Sequence, residues 1–294
     1  VREKSVIGLI VNTRKPKAID LALDLLRWGP GEDICFRLPP LESSVLGIPV
    51  EEENWKDQVA VALVIGGDGT FLRAARYVLD DKIALFGVNV GHLGFLAAGD
   101  PCGVKDDVLQ IANGNYRIQQ RQILLGEIYR SGQIEHRLYA LNDLVLTKGP
   151  LARVMEVDIH ICNKLTGTLR ADGIIASTPT GSTAYALSAG GPIVPPHVPC
   201  MILAPICAHT LYARPMVLGP EDVLTLVPRG ESRDLTLTQD GQLGYEILPG
   251  DRIEITLSSD KKVDVLWLPD RDYYDLLSKK LMWGKTFYSG ENKE

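Results

Sequence analysis

Apolar and polar positions divide this chain into two textures. Over about the first 120 residues, short unbroken apolar runs alternate with stretches that are apolar at helical spacing. Ser5 to Asn12 reads as a strand. Ala18 to Trp28, with Ile19, Ala22, Leu23 and Leu26 along one face, reads as an amphipathic helix. Val59 to Ile65 predicts a second strand that feeds a helix over Phe71 to Leu79. A third strand over Ile83 to Val90 ends in Gly91, His92, Leu93, Gly94 and Phe95. This strand–helix–strand rhythm predicts a parallel, Rossmann-like α/β domain with ligands at the carboxyl ends of its strands.

From about Gln122 the pattern shortens. Ile123–Tyr129, Arg137–Leu146, Arg153–Cys162, Val223–Val227, Asp234–Thr238 and Arg252–Leu257 are β-branched segments separated by turns. In one of them Met155, Val157, Ile159 and Ile161 fall at period two, and Asn163 to Gly167 reads as its hairpin connection. An antiparallel, β-rich second half is expected. Helical spacing returns over Asp270 to Trp283, with Tyr273, Leu276, Leu277 and Leu281 in phase. The expected division is an α/β domain over 1–121, a β-rich domain over 122–268 and a tail over 269–294.

The junction of the second strand and its helix carries the first chemical signal. Gly66, Gly67, Asp68, Gly69 and Thr70 follow the apolar run directly. Three glycines let the backbone turn sharply and approach a ligand. Thr70 can cap the helix, whose N-terminal N–H groups and dipole favour a phosphate. Asp68 stands where phosphates would sit. A carboxylate there repels a phosphate unless a cation or a proton acceptor is wanted, which points to phosphoryl transfer. The plainer alternative is a tight turn with Asp68 as a helix cap.

Composition narrows the field. With 294 residues, 45% hydrophobic and 23% charged, the chain has ample core for two domains. A net charge of −6 argues against nucleic acid or an anionic membrane as partner. No apolar run approaches the roughly 20 residues of a membrane span, and no signal peptide is expected. Cys35, Cys102, Cys162, Cys200 and Cys207 form no CxxC pair, so disulfides and zinc are not expected and a reducing cytoplasm fits. The five histidines show no metal-ligand spacing.

A second constellation runs from Asp172 to Val194: a strand, a hydroxyl-rich turn through Thr178, Pro179, Thr180, Gly181, Ser182 and Thr183, then a short helix closed by Gly190 and Gly191. Ser182 and Thr183 can cap that helix and bond a ligand, and Tyr185 offers a flat face to a base. An ordinary cap with a core tyrosine is the alternative. Seven hydroxyl residues between Ser177 and Ser188, counting the tyrosine, exceed what one cap needs.

These blocks together resemble the bacterial NAD kinases. The likeness covers Gly66–Arg76, Gly87–Leu96, Leu141–Leu146, Asp172–Val194, Pro205–Leu218 around His209, and Asp240–Gln242, nearly the whole chain. It implies an α/β domain, a β-rich domain and a tail packing back on the first. It implies phosphorylation by ATP of the 2′-hydroxyl on the adenosine ribose of NAD, giving NADP. The site would lie between the domains and be completed by a neighbouring subunit of a homodimer or homotetramer. By resemblance Asp68 is the proton acceptor. Dinucleotide contacts carry over to Asp68, Gly69, Arg73, Asn142, Asp143, Arg153, Arg170, Asp172, Thr183, Ala184, Tyr185, Ala186, Leu187, Ser188 and Gln242, with Gly66, Gly67, Thr70, Phe95, His209 and His92 as further candidate contacts. Asn142-Asp143 stands where the family usually has Asn-Glu, and Ala-His-Thr around His209 where Pro-His-Ser is usual.

No Walker lysine is present, so Mg²⁺ would bridge the donor phosphates through water and phosphate oxygens, with no metal ligands from the protein. Arg73, one turn into the helix, either reaches a phosphate or is a solvated charge. Two rival classes share features of the chain. A lipid kinase shares GGDGT but leaves the TPTGSTAY block unexplained, and a non-catalytic NAD(P) sensor gains nothing from Asp68. Whether inorganic polyphosphate replaces ATP is open.

Overall fold

The computed structural model describes residues 5–49, 54–91, 93–97, 99–149, 154–230 and 234–282. The chain forms two compact units, Val1–Gln119 with Asp264–Glu294, and Gln120–Val263. Arg153 and His92 lie outside the described residues, as do residues 283–294 of the expected tail.

The elements of the first unit are β1 (Ser5–Val11), α1 (Pro16–Trp28), β2 (Ile34–Arg37), α2 (Pro40–Leu46), β3 (Val61–Gly66), α3 (Asp68–Tyr77), β4 (Ala84–Asn89) and α4 (Val104–Ala112). Its strands are all parallel in the order β2-β1-β3-β4, with Ile7 beside Val61 and Gly66 beside Asn89. Every residue of β3 and β4 is buried, which is why both read as unbroken apolar runs. On α1 the buried face is Ala18, Ala22 and Leu25, one position away from the expected stripe. The small Ala18 and Ala22 let the helix approach the sheet, leaving Ile19, Leu23 and Leu26 half-buried at its flanks. Helix α3 starts at Asp68, three residues before its apolar stripe, because the Gly67 carbonyl accepts from Thr70 N and Phe71 N and closes the first turn.

The second unit follows with β5 (Arg117–Arg130), β6 (Gln133–Ala140), β7 (Asp143–Lys148), β8 (Met155–Ile161), β9 (Lys164–Ala171), β10 (Gly173–Ser177), α5 (Tyr185–Ser188), β11 (Met201–Ile206), β12 (Met216–Leu218), β13 (Leu224–Pro228), β14 (Leu235–Gln239), β15 (Leu243–Ile247) and β16 (Arg252–Trp267). A six-stranded antiparallel sheet runs β12-β11-β10-β7-β14-β15. Antiparallel pairs β8–β9, β8–β13 and β13–β16 stand alongside β5–β6. Leu144, Leu146, Met155, Val157, Leu169, Ile174, Leu203, Leu226, Leu237 and Ile253 close one core. The expected classes, parallel α/β and then antiparallel β, are both present.

Two connections differ from expectation. The β8–β9 hairpin turns at Cys162 and Asn163, both at positive φ, so Lys164 to Gly167 already belongs to β9. The apolar stretch through Arg137–Leu146 is two strands, broken at Leu141-Asn142. After Asp264 the chain belongs to the first unit: Val265 pairs in parallel with Leu85, and α6 (Tyr273–Leu281) is capped by Asp272, whose Oδ1 accepts from Tyr274 N at 2.7 Å. Arg271 holds both carboxylate oxygens of Asp107 at 2.7 and 2.8 Å. No helix among the described residues is long and apolar enough to cross a membrane.

Candidate functional site

In the first unit the site residues gather where β1, β3 and β4 end. Gly67 is the N-cap of α3 with an extended backbone (φ −140°), and no side chain caps the helix. Thr70 is therefore not the cap expected from sequence. It lies inside the first turn, where its Oγ1 accepts from Asn12 Nδ2 at 3.1 Å. Gly66 is required by packing, since a Cβ there would collide with the Thr70 side chain, whereas Gly67 faces open space. Gly69 is exposed on the same turn.

Asp68 is the first residue of α3, where a negative charge is favoured by the helix dipole. Its Oδ2 accepts from Phe95 N at 3.0 Å and its Oδ1 from Leu96 N at 3.1 Å. A Cβ on Gly94 would strike this carboxylate, so the glycine lets the loop after β4 close on Asp68. Phe95 thus contributes its backbone N–H, and its ring lies 5.9 Å from the Lys280 ammonium. Arg73 Nη2 donates to the Val11 carbonyl at 2.8 Å and to Glu42 Oε1 at 2.9 Å. Glu42 is fully buried, and desolvation raises its pKa against the opposing pull of Arg73. Arg73 is anchored rather than solvated.

In the second unit, antiparallel pairing brings the start of β7 and the ends of β10 and β14 to one edge. Ser177 lies opposite Asp143, and Gln239 opposite Leu144. Asp240 and Gly241 turn the chain between β14 and β15, both at positive φ. The buried Asp240 carboxylate accepts from three successive N–H groups: Leu141 at 3.2 Å, Asn142 at 2.7 Å and Asp143 at 3.2 Å. From the other side Thr178 N and Ser177 Oγ donate to the Asn142 carbonyl at 2.9 and 3.1 Å, and Thr178 Oγ1 donates to the Leu141 carbonyl at 2.5 Å. A Cβ on Gly181 would strike the Asn142 carbonyl, which explains that glycine. These bonds make the break between β6 and β7 and present the Asn142 and Asp143 side chains.

Two features of this corner invite a ligand. Asn142 Oδ1 is buried with no hydrogen-bond partner, and such an acceptor costs free energy until a donor arrives. The Asp143 carboxyl is pushed up to about 7, first by burial and then by the Asp240 charge. Asp240 was not among the residues expected in the site. An Asp-Gly pair in sequence signals a hairpin, and nothing local shows which N–H groups its carboxylate meets.

The hydroxyl-rich turn is more structural than its sequence implied. Ser182 Oγ is buried, donating to Pro179 O at 2.6 Å and accepting from Val194 N at 3.0 Å. Thr183 Oγ1 donates to Thr180 O at 3.4 Å. Neither caps α5, whose N-cap is Ala184. Ala186 packs beside Val145, Ile175 and Ala204, and Leu187 is half-buried. Tyr185 and Ser188 are exposed, as is Gln242, whose N–H closes the turn onto Gln239 O at 2.9 Å.

Arg170, Asp172 and His209 gather elsewhere. Arg170 Nε meets Glu156 at 3.1 Å, its carbonyl accepts from His209 N at 2.8 Å, and Asp172 lies 3.6 Å from Lys148 Nζ. Asp172 precedes β10 and Ser177 ends it, so the two groups stand roughly 17 Å apart at opposite ends of one strand. Among the described residues no three His, Cys, Asp or Glu side chains form a metal-holding group.

A parallel α/β unit with an acid on its strand–GGDGT–helix turn, followed by an antiparallel unit with a buried, acceptor-rich corner, defines a small-molecule kinase of the GGDGT class. Residues 48–116 match the ATP-NAD kinase N-terminal domain, and residues 141–266 the ATP-NAD kinase C-terminal domain. The chain is 36% identical over 288 residues to the NAD kinase of Moorella thermoacetica, covering 97% of this chain and 92% of that one. It is 38% identical to the NAD kinase of Magnetococcus marinus, covering 95% and 94%. In fold it is similar to yeast NADH kinase complexed with NADH, with a TM-score of 0.87 at 21% identity over 97% of this chain and 90% of that one. The NAD kinase of Archaeoglobus fulgidus in complex with ATP gives a TM-score of 0.70 at 20% identity, covering 94% and 98%. The chain belongs to the NAD kinase family.

Proposed function

We propose that this protein transfers the terminal phosphoryl group of ATP to the 2′-hydroxyl of the adenosine ribose of NAD, giving NADP, with Asp68 as proton acceptor. The observation that carries this reading is the fixation of Asp68. Each carboxylate oxygen accepts one backbone N–H, and each keeps a further lone pair for a substrate hydroxyl. A ribose hydroxyl is far too weak an acid for Asp68 to ionise beforehand. The carboxylate orients it and takes its proton as the new P–O bond forms, an effect of about 10²–10⁴-fold.

The N-terminal turn of α3 offers backbone N–H groups to the donor's phosphates, and Mg²⁺ enters with ATP as part of that substrate. In the second unit the unpartnered Asn142 Oδ1 takes a donor from the nucleotide, such as an amine or a ribose hydroxyl. The exposed ring of Tyr185 stacks on a base. We place the working enzyme in the cytoplasm as a homodimer or homotetramer. Five free cysteines are in keeping with the first. The separation of the Arg170–Asp172–His209 group from the Asn142 corner is in keeping with a neighbour's copy of that group completing a site.

The test is Asp68→Asn. Turnover should fall at least ~10²-fold while NAD binds within a few-fold of wild type. A variant turning over near the wild-type rate would remove Asp68 from this role.

A further inference from the structure

Helix α1 begins against the usual electrostatic rule. Arg14, Lys15 and Lys17 crowd its positive end, and its first turn holds no acid. Among the described residues none of the three cations is ion-paired. A cluster that works against its own helix is a sign of function rather than stability.

The turn that carries these cations is fixed to the motif loop. Asn12 N donates to Ile65 O at 2.8 Å, Asn12 Nδ2 bonds the Thr70 hydroxyl at 3.1 Å, and Asn12 Oδ1 accepts from Arg14 N at 3.1 Å. From this turn Lys15 reaches across to the loop after β4. A Cβ on Gly91 would lie 3.1 Å from Lys15 Nζ. At the start of α3, Gly67 has an extended backbone that suits any residue, and a Cβ there would meet open space. The protein's own packing gives no reason for glycine at 67. A ligand that must approach the N-terminal turn of α3 does.

We propose that Lys15 is a binding residue for the donor's phosphate chain, supplying from the β1–α1 turn the cation that a Walker lysine supplies elsewhere. The ligand class is a polyphosphate chain bound to Mg²⁺, held between the Lys15 ammonium and the N–H groups at Gly67–Gly69. The ammonium offers three rotatable donors and a full positive charge, suited to phosphate oxygens at variable distance. This inference rests on reading ATP as the donor.

The experiment compares Lys15→Gln, Lys15→Arg and Gly67→Ala with wild type. It measures KM for MgATP and for NAD, and the affinity for Mg-tripolyphosphate by calorimetric titration without turnover. K15Q should raise the KM for MgATP at least tenfold and weaken tripolyphosphate similarly, leaving the KM for NAD within twofold. K15R should retain most of the affinity. G67A, which the backbone accommodates, should weaken both phosphate ligands at an unchanged melting temperature. Wild-type affinity for both phosphate ligands in K15Q would overturn the proposal, as would a loss confined to NAD. Should the wild-type protein make no NADP from NAD and MgATP, the functional reading itself fails, while the titration still reports on Lys15.

Discussion

Asp240 Oδ1 accepts the backbone N–H of Asn142 at 2.7 Å, joining residues 98 positions apart and setting the corner between β6 and β7. The same carboxylate holds Leu141 N and Asp143 N. Replacing it with alanine strands three buried donors, each worth about 1 kcal/mol or more. Asp240→Ala should therefore lose about 3 kcal/mol in denaturant unfolding and raise the KM for NAD. Asp240→Asn, which keeps an acceptor, should lose less on both measures.

Asp143 gives the corner a pH signature. Its folded value of about 7 lies above the ordinary carboxylate value of about 3.9 in the unfolded chain. Its favourable share of stability is thus complete below pH ~4 and is lost as pH rises through 7. Between pH 5.5 and 8.5 about 1.5 pH units of that window remain, or roughly 2 kcal/mol at 1.4 kcal/mol per unit. The stability of wild type relative to Asp143→Asn should fall by that amount over this range. Urea unfolding of both proteins at the two pH values measures it, and parallel curves would contradict it.

Arg73 tests differently from a phosphate ligand. Removing it leaves Glu42 buried and unpaired, which typically costs about 3–5 kcal/mol. Arg73→Met should destabilise by that order, and adding Glu42→Gln should recover part of the loss. A purely ligand-binding arginine would instead raise KM at constant melting temperature.

Tyr185 separates stacking from packing. The residue is 45% exposed, so Tyr185→Ala should barely change the melting temperature. It should weaken NAD binding through lost contact area, and Tyr185→Phe should restore it. Unchanged affinity in the alanine variant would remove the stacking role.

The parts legible in sequence are those set by local patterns. Unbroken apolar runs marked β3 and β4, and the glycines around Asp68 marked the turn between β3 and α3. The corner at Leu141-Asn142 was hidden because apolar residues continue through it and the break is imposed from afar by Thr178 and Asp240. Arg73 could not be placed either, since its partner Glu42 stands 31 residues upstream with no local sign of pairing. Thr70 and Ser182 read as caps, yet both are buried and bonded inside the fold.

The decisive measurement is NADP formation from NAD, ATP and Mg²⁺, followed with an NADP-specific dehydrogenase while each component is omitted in turn. Product should form only when all three are present. Product without ATP, or none with the full set while NAD still binds, would contradict it.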